Sequence, residues 1–134
     1  MEMILKTAFC NWRLPDAKEL HSLLDYSRSP DYTYSAAIDP IFETSQIIDE
    51  MNKLDYPAFG SSTTFNKRTN DAIIICFGGA IGYLHGSFLD VHGAGCQRTD
   101  PKSVTPSYGA PAPQGDVNRI YNYVRPVRTI SQQE

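Results

Sequence analysis

The sequence predicts an α+β fold: a small twisted antiparallel sheet, two helices and a long glycine- and proline-rich loop region. Three observations point there. A capped amphipathic helix stands near the start, a short β-branched strand stands near the middle, and from Gly78 onward lie eight of the nine glycines and five of the nine prolines. The 134 residues make one domain, 1–134, large enough to bury roughly two-thirds of the surface its unfolded chain exposes. Hydrophobic residues at 41% and charged residues at 20% give a globular composition. The longest apolar stretch, Ala72 to Phe77, falls far short of the roughly 20 residues of a membrane span.

Each element has a local cause. Asp16-Ala-Lys-Glu19 supplies the acceptor at N-cap and the acid three residues later that form a capping box. The stripe Ala17, Leu20, Leu23 and Leu24 follows at helical spacing, so one face packs inward. Ile47, Ile48, Met51 and Leu54 repeat the pattern more weakly and predict a second helix over Gln46 to Leu54. Ala72 to Phe77 suits a strand buried on both faces, and Gly78-Gly79 permits a hairpin turn into a strand from Ile81 to Leu84. Tyr121 to Ile130 reads as a last strand, at an edge or bulge because Pro126 has no N–H to donate. Between them, His85 to Arg119 lacks periodicity and is expected as an ordered long loop anchored by Phe88, Val91, Val104 and Tyr108.

Charge and cysteines exclude several functions. A net charge of -3 argues against a nucleic-acid partner. Residues 1 to 60 carry five basic and ten acidic side chains and the remainder seven and five, so the C-terminal half is mildly cationic. A solvated mixed surface explains that most simply, and an anionic ligand is the alternative. Cys10, Cys76 and Cys96 are odd in number and widely spaced, which rules out a full disulfide framework and a Cys-x-x-Cys motif. Met1 to Phe9 does not read as a secretory signal, and the compartment stays open.

Trp12-Arg-Leu-Pro-Asp-Ala-Lys-Glu-Leu20, followed by Leu23-Leu24-Asp-Tyr-Ser27, resembles the opening signature of the bacterial Lcl C-terminal domain family. Ile38-Asp-Pro40, Ser61-Ser-Thr63, the strand to Phe77 with Gly78-Gly79, and Val124-Arg-Pro-Val-Arg128 follow in the family's order, over roughly residues 10 to 130. The resemblance implies a C-type-lectin-like fold, also similar to the sulfatase-modifying-factor group, and a binding role. Two departures stand out. Family members carry a further strand and a cysteine-containing helix before the tryptophan, where eleven residues stand here, so the expectation is a fold shortened at its N-terminus or completed by a partner chain. Phe59-Gly-Ser-Ser-Thr63 also lacks the family's second tryptophan, so no ligand role assigned to it carries over.

Candidate sites follow from residue chemistry. Trp12 and Arg13 precede the capped helix, where the indole is expected to fill a core corner and the guanidinium to bond carbonyls or a carboxylate. Arg125 and Arg128 either pair with acids of the first helix or present charge to an anionic ligand. Leu89 to Pro101 is the most chemical-looking stretch. Its glycines allow close backbone approach, and Asp90, His92, Gln97, Arg98 and Asp100, with Tyr83 and Tyr108 nearby, could ring a sugar. The competing reading is a self-satisfying turn network that holds the loop. Asp90, Asp100 and Asp116 could bind calcium, without EF-type spacing; His85, His92, Cys76 and Cys96 lack paired zinc spacing, so no cofactor is expected.

Catalysis is not expected. Gly60-Ser-Ser-Thr63 forms no nucleophile elbow, Gly78-Gly-Ala-Ile-Gly82 lacks a phosphate loop's lysine, and no late cysteine pair follows Cys96. The sequence therefore predicts a non-catalytic module that binds a glycan or another polar or protein ligand. The alternatives are a structural protein that completes its fold as a homodimer and an enzyme of unknown substrate. A short chain without an export signal also resembles the products of mobile gene cassettes.

Overall fold

A computed structural model describes residues 11–103, 115–119 and 122–130. Its architecture is α+β, with antiparallel sheets and two short helices. Strand β4 (Asp71–Cys76) is the centre of the three-stranded sheet, lying between β3 (Ala58–Thr64) and β7 (Gln97–Pro101). Its β-branched run packs on both faces, as the sequence predicts. Ile75 and Phe77 join Leu20, Ala36, Ile38, Tyr56 and Phe59 on one side, and Ile74 and Cys76 join Ala58 and Ala80 on the other. Ile75 and Phe77 are fully buried, each worth roughly 1.5–3 kcal/mol.

Helix α1 (Ala17–His21) forms at the predicted capping box. Asp16 Oδ1 accepts the Glu19 N–H at 2.8 Å, and Glu19 Oε2 accepts the Asp16 N–H at 2.8 Å. The helix is shorter than its stripe: Ser22 donates its hydroxyl back to the Glu19 carbonyl, and Leu24 leaves to bridge Ile38. The serine-threonine motif of β3 clamps it to the sheet. The Ser62 N–H donates to the Pro15 carbonyl, and the Ala17 N–H donates to Thr63 Oγ1. Helix α2 (Pro30–Thr33) starts on the Ser29 side chain with proline in its first turn and stops where Tyr34 turns left-handed at φ 54.

Gln46 to Leu54 is not a helix. Strands β1 (Ile47–Ile48) and β2 (Leu54–Asp55) pair antiparallel there. The cause is local: the Asp49 carboxylate accepts the Met51 and Lys53 N–H groups, both at 2.8 Å, and Asn52 takes φ 59. That side-chain turn competes successfully with the helix, whose apolar stripe had nothing to pack on, since Ile48 and Leu54 are exposed.

Gly78-Gly79 makes no hairpin either. β5 (Ile81–Leu84) pairs with β6 (Ser87–Asp90) through a two-residue turn at His85-Gly86, whose φ values of 52 and 83 fit a type I′ turn. Gly78 serves close approach instead: a Cβ there would lie 2.1 Å from the Tyr56 carbonyl oxygen. The expected long loop from His85 to Arg119 thus contains β6 and β7 within its described residues; 104–114, with Val104 and Tyr108, lie outside them. β7 escapes a hydrophobic reading because its inward residues are the polar Arg98 and Asp100.

The last strand is reduced, among the described residues, to isolated bridges. Tyr123 pairs with Phe59 along the outer side of β3, and Val127 pairs with Arg13. Pro126 stands between these bridges, where it could not have donated a ladder bond. Among the described residues no helix is long and apolar enough to cross a membrane.

Candidate functional site

The two bridges of the C-terminal segment carry Tyr123 and Val127 alongside β3 and the residue before Leu14, leaving a groove between them. It measures about 540 Å³ and is lined by Trp12, Glu43, Ser45, Phe59, Tyr123, Val124, Arg125 and Pro126. Phe59 is its buried floor, packed edge-on against Phe77 at 5.1 Å and facing Tyr123 at 6.2 Å. The groove is therefore built directly on the core. Trp12 does not fill a core corner: 49% of its surface is exposed, because the chain turns into α1 only at Asp16 and leaves the indole outside the packed face.

Two guanidiniums stack on these rings. Arg128 lies over the Trp12 ring at 5.2 Å, and Arg125 lies 5.2 Å from the Phe59 centroid and 5.9 Å from that of Phe42. Arg125 also donates to the Glu43 carbonyl at 2.7 Å and to Thr44 Oγ1 at 3.4 Å, while its Nε is buried without a hydrogen-bond partner among the described residues. Burial lowers the Arg125 pKa from its ordinary value. Neither arginine pairs with an acid of the first helix. Glu19 is taken by Arg13 in a bidentate contact at 2.6 and 2.7 Å, which, with the Asp16 N–H, holds its pKa down at about 2. Arg13 thus binds a carboxylate, as its position predicts.

The residues singled out between Leu89 and Pro101 are taken up by the backbone and by side chains from other parts of the chain. Asp90 Oδ1 accepts the Ala80 N–H at 2.9 Å and the Gly93 N–H at 2.8 Å. His92 Nε2 sits 3.1 Å from Asp116 Oδ1. Arg98, almost fully buried, donates to the carbonyls of Ile81 at 3.2 Å and Val117 at 2.8 Å, with its Nε in ionic contact with Asp116 at 3.5 Å. Gln97 Oε1 lies 3.1 Å from His21 Nε2. Asp100 accepts from Asn122 at 3.0 Å through one oxygen, and its other oxygen is buried without a partner among the described residues. Burial raises the pKa of Asp100. Tyr108 lies outside the described residues, and Tyr83 packs against Phe88 at 4.9 Å.

Among the described residues no three His, Cys, Asp or Glu side chains gather as a metal site. Cys76 and Cys96 are free thiols placed opposite each other by a bulge at Gly95 (φ 86), where the Gly95 N–H donates to the Cys76 carbonyl and the Cys76 N–H donates to the Cys96 carbonyl. Their mutual hydrogen bond and burial raise Cys76 well above the ordinary thiol value; the same bond, opposed by burial and aided by Arg98, lowers Cys96. The hydroxyls of β3 are committed to the fold, Ser61 donating to the Ile73 carbonyl at 2.7 Å and Ser62 to that of Pro15 at 3.3 Å.

The aromatic groove was legible only in fragments, through Trp12, Arg125 and Arg128. Tyr123, Glu43 and Ser45 carry no motif; the bridge to Phe59 places Tyr123, and the Arg125 bond to the Glu43 carbonyl brings the 43–45 stretch beside it. Comparison of the chain with family models, curated proteins and solved structures yields no match.

Proposed function

We propose that the chain is a non-catalytic glycan-binding module, a C-type-lectin-like domain of the kind the Lcl C-terminal resemblance implies, and that its ligand lies in the Trp12–Tyr123–Arg125 groove. The half-exposed indole of Trp12 at an open groove of about 540 Å³ carries this reading. A tryptophan costs the fold exposure of a large apolar surface, and the C–H face of a sugar ring is a ligand that would cover it. Tyr123, 39% exposed, adds a second aromatic surface. Glu43, Ser45 and Arg125 offer hydroxyl partners beside them.

The Leu89–Pro101 segment then supports rather than binds. Its Asp90 and Arg98 tie the β5–β6 hairpin and residues 116–117 to the central sheet through the bonds described above. A glycan array probed with the labelled chain tests the reading. Signal is expected on a related set of oligosaccharides, and Trp12→Ala or Tyr123→Ala removes it, the former with little change in melting temperature. An array without signal, or signal indifferent to both substitutions, overturns it.

A further inference from the structure

Among the described residues the two arginines at the groove, Arg125 in its lining and Arg128 stacked on the lining indole of Trp12, lack the carboxylate partner that four other arginines have. Arg13, Arg68, Arg98 and Arg119 each have a carboxylate within 4.0 Å, namely Glu19, Asp71, Asp116 and Glu50. Among the described residues Arg125 and Arg128 have none; Arg28, likewise without one, lines a separate and smaller cavity. The charge of Arg125 is met by two ring faces, one carbonyl and one hydroxyl, and that of Arg128 by the indole of Trp12. Glu43 is the one acid lining the groove, and it is exposed. Arg125 in the lining and Arg128 on the Trp12 ring at its margin therefore stand against one acid beside an apolar floor, where the partly buried Arg125 guanidinium is attracted to an anion more strongly than in open water.

From this imbalance we infer that the groove takes a sugar bearing a ring carboxylate, a uronic or sialic acid residue, which Arg125 and Arg128 neutralise. The inference rests on the glycan reading of the groove and names its ligand class. A carboxylate matches the planar donor fork of a guanidinium, and the rest of the sugar ring retains an apolar face for Trp12 and Tyr123. An acidic peptide supplies the same charge but fits less well. It would dock as an added strand, and Pro126 in the lining has no N–H for such a ladder.

The emission of Trp12, the single tryptophan, reports binding directly. Oligogalacturonate is titrated against its methyl ester, which keeps rings and hydroxyls but masks the charge, and sialyllactose against lactose. A polyglutamate peptide is the third arm. At least one acidic sugar is expected to bind about ten-fold or more tightly than its neutral counterpart, with weakening in salt. Whether the galacturonate or the sialyl arm responds identifies the source of the carboxylate. Arg125→Gln and Arg128→Gln should erase the preference; Arg128 is exposed, so its variant keeps the fold even if Arg125→Gln does not. Equal or weaker binding of the acidic sugars, or a peptide that binds as tightly as they do, overturns the inference and leaves the glycan reading standing wherever a sugar binds. Binding of no sugar overturns both.

Discussion

Replacing Arg98 by methionine separates a supporting residue from a ligand-binding one. The guanidinium is almost completely buried and holds two carbonyls, Ile81 at 3.2 Å and Val117 at 2.8 Å, besides its ionic contact with Asp116. Methionine refills most of the stem volume, so the loss is electrostatic. Charged hydrogen bonds of this kind are worth about 1.5–3 kcal/mol each, which puts Arg98→Met at roughly 3–5 kcal/mol of lost stability. For a chain of this length that is a fall of about 10–20 °C in melting temperature. Circular-dichroism melts at pH 7 measure it, with sugar binding read at a temperature where the variant is folded. Stability should fall while affinity holds. A variant that melts within about 3 °C of the parent, well under one lost hydrogen bond, or that keeps its stability and loses binding, refutes the assignment of Arg98 to the scaffold.

Other consequences can be checked separately. Gly78→Ala should destabilise by more than about 3 kcal/mol, because its Cβ would sit 2.1 Å from the Tyr56 carbonyl and 2.3 Å from the Asp55 carboxylate that accepts the Gly79 N–H. Gly86→Ala, with nothing within 4 Å of its Cβ, should cost only the left-handed backbone strain of about 1 kcal/mol, and equal melting temperatures would contradict this ordering. Asp55 is held above its ordinary pKa of 3.8 by burial, against bonds from the Gly79 and Tyr56 N–H groups. Its protonated form thus favours the fold, a contribution complete below 3.8 and lost as pH rises through the higher folded value. The melting temperature of Asp55→Asn relative to the parent should therefore rise from pH 4 to pH 7, and a pH-independent difference would count against a buried, charged Asp55. Iodoacetamide should label Cys96 well before Cys76, which is buried with its thiol held protonated; peptide mass spectra showing equal rates would contradict the pairing of the two thiols.

What the sequence disclosed were the elements whose cause is local. The Asp16–Glu19 capping box and the apolar run of β4 need only their own residues to be recognised, and both stand where expected. Gln46 to Leu54 misled because apolar residues at helical spacing say nothing of what covers them, whereas Asp49 and Asn52 had already written a turn into the same stretch. Gly78-Gly79 looked like a hairpin for a related reason. Glycine serves a turn or a close approach equally well, and only the position of Tyr56 decides between them. In β7 the inward residues are Arg98 and Asp100, so a buried strand reads as a polar loop until its partner carbonyls and Asn122 are in place. The groove was harder still, since Trp12, Glu43, Phe59 and Tyr123 are separated by long stretches of chain and meet through the backbone bridges of the C-terminal segment and the Arg125 bond to Glu43.

The claim that matters most is that ligand meets the chain at Trp12 rather than along the Leu89–Pro101 segment. Titrating the chain with an oligosaccharide that scores on the array, by calorimetry and by Trp12 emission in parallel, asks this directly. The two curves should share one Kd, with the emission shifting to shorter wavelength as the ring is covered, and His92→Ala should leave both unchanged. Heat of binding without any change in Trp12 emission, lost on His92→Ala, would move the site to the other segment and contradict the account.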